Sequence, residues 1–132
     1  MRVVVCPVRE FPDGERRIIQ AGARSIGVFR VGERFYAIRN RCPHQGGPLC
    51  LGRLAPWATA DGPGDVHLDD TPSLVACPWH GWEYELETGQ SFMGPGETRV
   101  KSYSVTVERM PGPYVAETYP VHVEEDVVVV EV

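Results

Sequence analysis

The sequence predicts an all-β domain, built as a small antiparallel barrel or sandwich with protruding loops. Nowhere in the 132 residues do apolar side chains recur at i, i+3, i+4 and i+7 over the length of a stable helix. Short runs rich in valine and isoleucine are instead separated by turn residues, and the chain holds 14 glycines and 12 prolines. The hydrophobic fraction of 42% is typical of a globular chain. We therefore expect a single domain over residues 1–132.

The N-terminal third of the chain contains three predicted strands. Residues 2–8 and 24–31 are rich in the β-branched and aromatic residues that strands favour. The tight-turn residue Gly32 follows the second run and predicts a hairpin into residues 34–39, which are almost continuously apolar. This third strand leads directly towards Cys42, so the cysteine is expected at a strand end.

The alternating pattern breaks between residues 51 and 72. Residues 61–65, DGPGD, are a strong turn signal. We expect an extended loop or insertion here, with at most a small strand near Val66. A further strand over residues 73–76 then delivers Cys77 to the next loop.

Most of the remaining chain reads as β-strand. Residues 83–86 alternate and return through residues 90–92 after a Thr88-Gly89 hairpin turn. Two turns, at residues 94–96 and 111–113, are predicted to bracket a strand over residues 99–108.

The C-terminus is dense in valine. Residues 114–124 and 127–132 are expected to form a closing hairpin around the acidic pair Glu125-Asp126.

Charge and terminal sequence exclude several classes of protein. With 13 Lys and Arg against 18 Asp and Glu, the net charge is -5, whereas a nucleic-acid partner usually requires a basic patch. The apolar run at the start is too short for a secretory signal, and no stretch reaches the length of a membrane span. We expect a cytoplasmic protein with neither nucleic-acid nor membrane partners. In that reducing compartment its four cysteines serve as ligands or buried thiols rather than in disulfides.

Two Cys/His half-sites carry the chemistry. Cys42 and His44 stand in the segment CPHQGGPL, and Cys77 and His80 stand in CPWHGW. Two thiolates and two imidazoles make a set of four metal ligands. Such a set is compatible with a closed tetrahedral zinc site, and equally with a binuclear iron-sulfur cluster that has cysteine on one iron and histidine on the other.

Local context favours the cluster over zinc. Typical zinc fingers keep two cysteines together and two histidines together, whereas each half-site here mixes one cysteine with one histidine. Gly46, Gly47 and Gly81 allow backbone N–H groups to approach sulfur and to stabilise its negative charge. Mixed half-sites suit a cluster held between two loops.

Both segments resemble, nearly residue for residue, the two binding motifs of the Rieske [2Fe-2S] family, as found in Rieske-type ferredoxins and in the Rieske domain of ring-hydroxylating oxygenases. The resemblance implies an antiparallel β-sandwich base with a small cluster-binding subdomain, here about residues 40–96. It also implies one [2Fe-2S] cluster per chain, with residues 92–96 in the place of the proline-containing loop that covers it. The implied iron ligands are Cys42 and Cys77 on one iron and His44 and His80 on the other.

Differences from the high-potential branch of that family predict a low reduction potential. The two positions that match the cysteines of its disulfide hold Gly47 and Trp79 here. The position that matches its serine holds Trp82, whereas the matching tyrosine is retained as Tyr84. Because hydroxyl donors to sulfur stabilise the more negative reduced state, we expect a potential in the low part of the approximate Rieske range of -150 to +300 mV.

The residues around the half-sites have less specific interpretations. Cys6 and Cys50 are expected to be buried thiols. Trp79, Trp82 and Tyr84 are expected to shield the metal site from water.

The function implied by the resemblance is one-electron transfer rather than catalysis. Rieske-type oxygenases need a second, mononuclear iron held by two histidines and a carboxylate, and the spare histidines His67 and His122 stand far apart in the sequence. We expect a ferredoxin that takes electrons from a flavin-dependent reductase and passes them to a terminal oxygenase or similar acceptor. Two alternatives remain open: a small Rieske-like subunit of a larger oxidoreductase such as nitrite reductase, and a zinc-stabilised binding module.

Overall fold

A computed structural model describes the backbone of residues 1–62, 65–91, 98–114 and 122–132. In this part of the chain, strands follow one another with only two short 3-10 helices, at Val8–Glu10 and Leu49–Leu51, between them. The strands are β1 Arg2–Pro7, β2 Arg16–Ala21, β3 Arg24–Val31, β4 Arg34–Arg39, β5 Arg53–Gly62, β6 Asp65–Ala76, β7 Glu83–Glu85, β8 Gln90–Ser91, β9 Thr98–Arg99, β10 Ser102–Tyr114 and β11 His122–Glu131. The all-β expectation is confirmed. The described residues include no helix with the length and hydropathy of a membrane span.

The strands form two sheets, and every recorded strand pair is antiparallel. One sheet has six strands in the order β1-β11-β10-β4-β3-β2, and the other has five in the order β5-β6-β7-β8-β9. The first half-site follows β4 of the larger sheet, and the second lies between β6 and β7 of the smaller one. The boundary of a cluster-binding subdomain at about residues 40–96 stays a prediction.

Two groups of buried side chains fill the interior. The first group packs around both half-sites and comprises Phe29, Val31, Ile38, Cys42, Leu49, Cys50, Val75, Cys77, Tyr84, Leu86 and Val100. The second consists mostly of residues of the larger sheet and comprises Cys6, Phe11, Ala21, Ile26, Val28, Ala37, Val128 and Val130. The half-sites are therefore continuous with a hydrophobic core, and Cys6 and Cys50 are buried free thiols as expected.

The predicted hairpin at residues 24–39 is present, and the hairpin predicted over residues 83–92 is present as far as Ser91, where the described part of that segment ends. β3 pairs with β4 from Val31↔Arg34 to Ile26↔Arg39, and Gly32 in the turn has a φ of 62°, which lies in the left-handed region that favours glycine. In the second hairpin, Tyr84 of β7 pairs with Ser91 of β8.

One strand was not anticipated. β2 begins with two adjacent arginines, which interrupt the apolar pattern on which a strand prediction depends. Both arginine side chains have partners in the structure. Arg16 donates to the Cys50 carbonyl at 2.9 Å, and the Arg17 guanidinium lies 5.4 Å from the centre of the Phe11 ring. Long charged side chains can cover apolar surface while their heads stay solvated or paired, so an arginine pair is tolerated at the start of an edge strand.

The prediction of an extended loop over residues 51–72 was wrong. β5 and β6 form a long hairpin that pairs from Arg53↔Ala76 to Gly62↔Asp65. Its register shifts on both sides of Pro56, and such irregularities let a strand contain proline without breaking the sheet. Proline and aspartate usually favour turns, but several of them lie within the irregular strands β5 and β6 here. Of the predicted DGPGD turn, residues 63–64 lie outside the described residues.

Both predicted turns near the C-terminus were also wrong. β10 continues through residues 111–113 to Tyr114, and β11 passes straight through Glu125 and Asp126. Arginines on neighbouring elements neutralise these carboxylates: Arg9 lies 2.7 Å from Glu125, and Arg109 lies 3.2 Å from Asp126. Ion pairs with a neighbouring strand and with the first 3-10 helix therefore let an acidic pair remain in a strand. The predicted turn at residues 94–96 and the covering loop at residues 92–96 lie outside the described residues.

Candidate metal centre

The first half-site is a tight loop closed by its own backbone. The Cys42 N–H donates to the Gly47 carbonyl at 2.8 Å, and the Gly46 N–H donates back to the Cys42 carbonyl at 2.7 Å. Gly46 has a φ of 79°, which other residues rarely adopt. These bonds fold the segment so that Cys42 and His44 project from one compact turn.

The second half-site repeats the same backbone pattern. The Cys77 N–H donates to the Trp82 carbonyl at 2.8 Å, and the Gly81 N–H donates to the Cys77 carbonyl at 2.8 Å. Gly81 has a φ of 74° and stands four residues after its cysteine, as Gly46 does in the first loop. The two half-sites are thus equivalent in hydrogen bonding and in backbone conformation, although the histidine spacing differs by one residue.

The two cysteines form the buried side of the site. Cys42 is 1% exposed and Cys77 is 3% exposed. Burial raises the pKa of the Cys77 thiol, and its contact with Cys42 raises that pKa further, while hydrogen bonds from the backbone N–H groups of Trp79 and His80 lower it. Two adjacent buried sulfurs are hard to ionise together in the absence of a cation, so the pair is suited to metal ligation.

Tyr84 lies directly against this sulfur pair. Its side chain is fully buried, and its hydroxyl oxygen is 3.2 Å from Cys42 Sγ. Burial, followed by the contact with Cys42, raises the pKa of the Tyr84 hydroxyl. Tyr84 therefore keeps its proton at neutral pH and can donate it in a hydrogen bond to an ionised Cys42 sulfur.

The two histidines form the exposed side. The ring centres of His44 and His80 are 5.0 Å apart and the rings are nearly perpendicular, at 79°. The half-buried indole of Trp82 stacks on His44, with 4.1 Å between ring centres and 11° between planes. Both imidazoles are exposed to solvent, and stacking on Trp82 holds the plane of the His44 ring.

Two neighbouring positions lack the disulfide cysteines of the high-potential branch. They hold Gly47 and Trp79, which lie side by side. A Cβ added at Gly47 would stand 2.8 Å from the Trp79 ring and 3.1 Å from Cys77 Sγ. A glycine is therefore required where the first loop crosses the second. Both tryptophans are expected to shield the metal site from water. Trp79 is 56% exposed, whereas Trp82 covers the ring of the candidate ligand His44.

The residues present fit a binuclear cluster. The four candidate ligands occur as a buried thiol pair and an exposed imidazole pair, carried by two equivalent loops. This is the donor distribution that a [2Fe-2S] centre with cysteine on one iron and histidine on the other requires.

Asn40 and Gly27 support the first loop and were not identified from the sequence. The Asn40 side chain donates to Ser25 Oγ at 3.2 Å and accepts the Cys50 N–H at 2.8 Å. A Cβ at Gly27 would lie 2.4 Å from both Cys50 Cβ and Sγ, so the small residue lets the end of the loop pack on β3. In the sequence, the only signal for this support is the position of Asn40, an asparagine that stands between a predicted strand and the first half-site. The spare histidines His67 and His122 belong to β6 and β11.

The chain has relatives among known proteins. The family model of the Rieske [2Fe-2S] domain matches residues 1–104. The 3-phenylpropionate/cinnamic acid dioxygenase ferredoxin subunit of Escherichia coli (strain K12) is 33% identical over 107 residues, which are 81% of this chain and 86% of the relative. The corresponding subunit of Shigella flexneri serotype 5b (strain 8401) is also 33% identical over 107 residues, with the same coverage.

Solved structures show the same fold. The ferredoxin of carbazole 1,9a-dioxygenase from Nocardioides aromaticivorans IC177 superposes with a TM-score of 0.63 at 22% identity and covers 96% of this chain and 95% of its own. The Sphingomonas yanoikuyae B1 ferredoxin gives a TM-score of 0.59 at 24% identity, with 82% and 91% covered. A chain from the complex of reduced oxygenase and oxidised ferredoxin in carbazole 1,9a-dioxygenase gives 0.60 at 26% identity, with 80% and 93% covered.

Proposed function

Because this chain belongs to the Rieske [2Fe-2S] domain family, we propose that Cys42 and Cys77 bind one iron of its cluster and that His44 and His80 bind the other. The chain is a Rieske-type ferredoxin, an electron carrier of the kind found in dioxygenase systems. The observation that supports this ligand assignment is the pair of equivalent loops, which brings two buried thiols and two exposed imidazoles together.

Each of these side chains has a distinct part in the proposed mechanism. A bound cluster would supply one-electron redox chemistry. The buried thiolates of Cys42 and Cys77 would hold it away from water, and the Tyr84 hydroxyl would donate to the Cys42 sulfur without giving up its proton. His44 and His80 lie on the exposed side, so a redox partner approaches the centre from there.

The proposed partners are a flavin-dependent reductase as donor and a terminal oxygenase as acceptor, with the carrier in the cytoplasm. The relatives support an oxygenase as the acceptor, because they are ferredoxin subunits of dioxygenases. In this proposal the carrier transforms no substrate, and its partners supply the catalytic sites.

Metal analysis and spectroscopy of the purified protein test the ligand assignment. We expect about two irons and two acid-labile sulfides per chain and a rhombic EPR signal after reduction with dithionite. His80→Ala should lose that signal together with the iron, whereas Cys50→Ala, which removes a buried thiol outside the ligand set, should retain both. One zinc per chain without sulfide would contradict the proposal, as would a full Rieske spectrum in His80→Ala.

The donor is tested by mixing the oxidised holoprotein with NADH and a flavin-dependent ferredoxin reductase of a dioxygenase system. Bleaching of the visible spectrum within the turnover time of the reductase is expected. Reduction by dithionite but not by the reductase would leave the carrier function in place and refute this class of donor.

A further inference from the structure

The positive charges of this acidic chain are unequally neutralised. Among the residues that the structure describes, five arginines form ion pairs with carboxylates: Arg2, Arg9, Arg17, Arg30 and Arg109. Within the described residues, by contrast, no carboxylate lies within ion-pair distance of Arg24, Arg39 or Lys101, and all three side chains are exposed. The unneutralised positive charge therefore remains available to a ligand.

These three cations share one surface depression. Arg24, Arg39 and Lys101 line a cleft of about 550 Å³, hereafter the basic cleft. Its walls are fixed by backbone pairing, because the Arg39 N–H donates to the Lys101 carbonyl at 2.9 Å. The one acidic side chain in the lining, Glu131, lies 3.1 Å from Arg2 and is already paired.

Two residues of the basic cleft stand close in sequence to residues of the metal centre or of the buried group around it. Arg39 ends β4, three residues before Cys42. Val100, which precedes Lys101, is 2% exposed and packs in the same buried group as Cys42 and Cys77. A partner that occupies the cleft consequently contacts Arg39, which shortly precedes the loop that carries Cys42 and His44.

We infer that the basic cleft is a docking site for a carboxylate-rich surface of a redox partner. This inference rests on the proposed carrier function, because an electron carrier must bind its partners briefly and in one orientation. Three exposed cations spread over β3, β4 and the residue before β10 give a weak, salt-sensitive attraction that steers association more than it holds the complex.

An acidic protein surface fits the cleft better than a small anion does. A small-anion site usually collects several donors around one buried point, whereas the three cations here are exposed and come from separate segments. On a chain with a net charge of -5, a local cationic cleft also orients the molecule, because the remaining surface repels the same acidic partner.

The test is a titration of the iron-loaded protein with poly-L-glutamate, followed by amide chemical shifts in NMR. We expect the shifts to concentrate at Arg24, Arg39 and Lys101 and the binding to weaken as salt is raised. The double variant Arg39→Glu/Lys101→Glu should bind about tenfold more weakly. Arg34→Glu changes the charge at the opposite end of β4 and should bind within about twofold of the unmodified protein. If the double variant loses its fold, the neutral variants Arg39→Gln and Lys101→Gln take its place.

Two results would overturn the inference. One is equal poly-L-glutamate affinity in the double variant and in Arg34→Glu. The other is a set of identical shifts produced by inorganic phosphate alone, saturating at a lower concentration than poly-L-glutamate does, which would make the cleft a small-anion site. EPR of the same samples separates this inference from the carrier function, since a Rieske signal that is absent from the unmodified protein refutes the latter regardless of binding.

Discussion

Tyr84 shows how a single side chain adjusts this site. Its hydroxyl is fully buried and lies 3.2 Å from Cys42 Sγ, and its raised pKa keeps it protonated. A donor at that point stabilises negative charge on sulfur, and the reduced state of a cluster carries more of it. Tyr84 is therefore expected to set part of the reduction potential without binding iron.

Replacing Tyr84 with Phe should lower the potential while leaving the cluster in place. A hydrogen bond that is stronger in the reduced state by about 1 kcal/mol corresponds to a decrease of about 40 mV. Redox titration followed by EPR measures the shift. Tyr103→Phe, on β10 and away from the thiols, is the matched control, and an unchanged midpoint in Tyr84→Phe would show that the hydroxyl does not act on the centre.

Because of the buried Cys50 thiol, we expect the folded protein to lose stability in alkaline solution. Burial raises the pKa of its thiol from 9.0 to about 12, so the folded chain holds the proton more tightly than the unfolded chain does. Its contribution to stability is complete below about pH 9 and is lost as the pH rises towards 12. Chemical unfolding should give a free energy that falls by up to a few kcal/mol over this interval, because one pKa unit is worth about 1.36 kcal/mol.

The matched control for Cys50 is Cys50→Ala, whose stability should fall less over the same pH interval. Parallel curves for the two proteins would exclude the thiol as the cause.

At the level of elements, the site depends on how closely its two loops cross. The loop after β4 touches the loop between β6 and β7 at Gly47 and Trp79, and no Cβ fits there without displacing the ring or the Cys77 sulfur. Backbone hydrogen bonds maintain the conformation of each loop, while the packing of Gly47 against Trp79 sets the distance between the two loops.

Gly47→Ala should therefore reduce the iron content of the purified protein, because the added methyl forces the loops apart. The double variant Gly47→Ala/Trp79→Ala should recover part of the iron, since it removes the 2.8 Å contact and leaves only the 3.1 Å approach to sulfur. Iron per chain and the visible absorbance measure both effects. Full iron content in Gly47→Ala alone would contradict the crossing geometry.

For the whole molecule, the cluster is expected to join the two sheets. Its candidate ligands come from a loop that follows the six-stranded sheet and a loop within the five-stranded sheet. Ligand binding of this kind contributes directly to the free energy of folding, because the site does not exist in the unfolded chain.

Removing iron by reduction and chelation should accordingly lower the thermal unfolding midpoint by several degrees or more. Circular dichroism of iron-loaded and iron-free samples measures the difference, and reconstitution with iron and sulfide should restore it. If the midpoint is the same with and without iron, the cluster does not connect the sheets energetically.

The sequence by itself determined the all-β class, the hairpin over residues 24–39 and the four candidate ligands, because strand alternation and ligand spacing are local properties. Tertiary structure alone decided that β5 and β6 pair with each other and that Glu125 and Asp126 lie within a strand. Bulges accommodate proline in β5 and β6, and ion pairs with arginines of other elements neutralise the two carboxylates, so residues that otherwise end strands remain within them. Tertiary structure likewise decided the stacking of Trp82 on His44 and the contact of Tyr84 with Cys42, since these depend on how two loops distant in sequence meet.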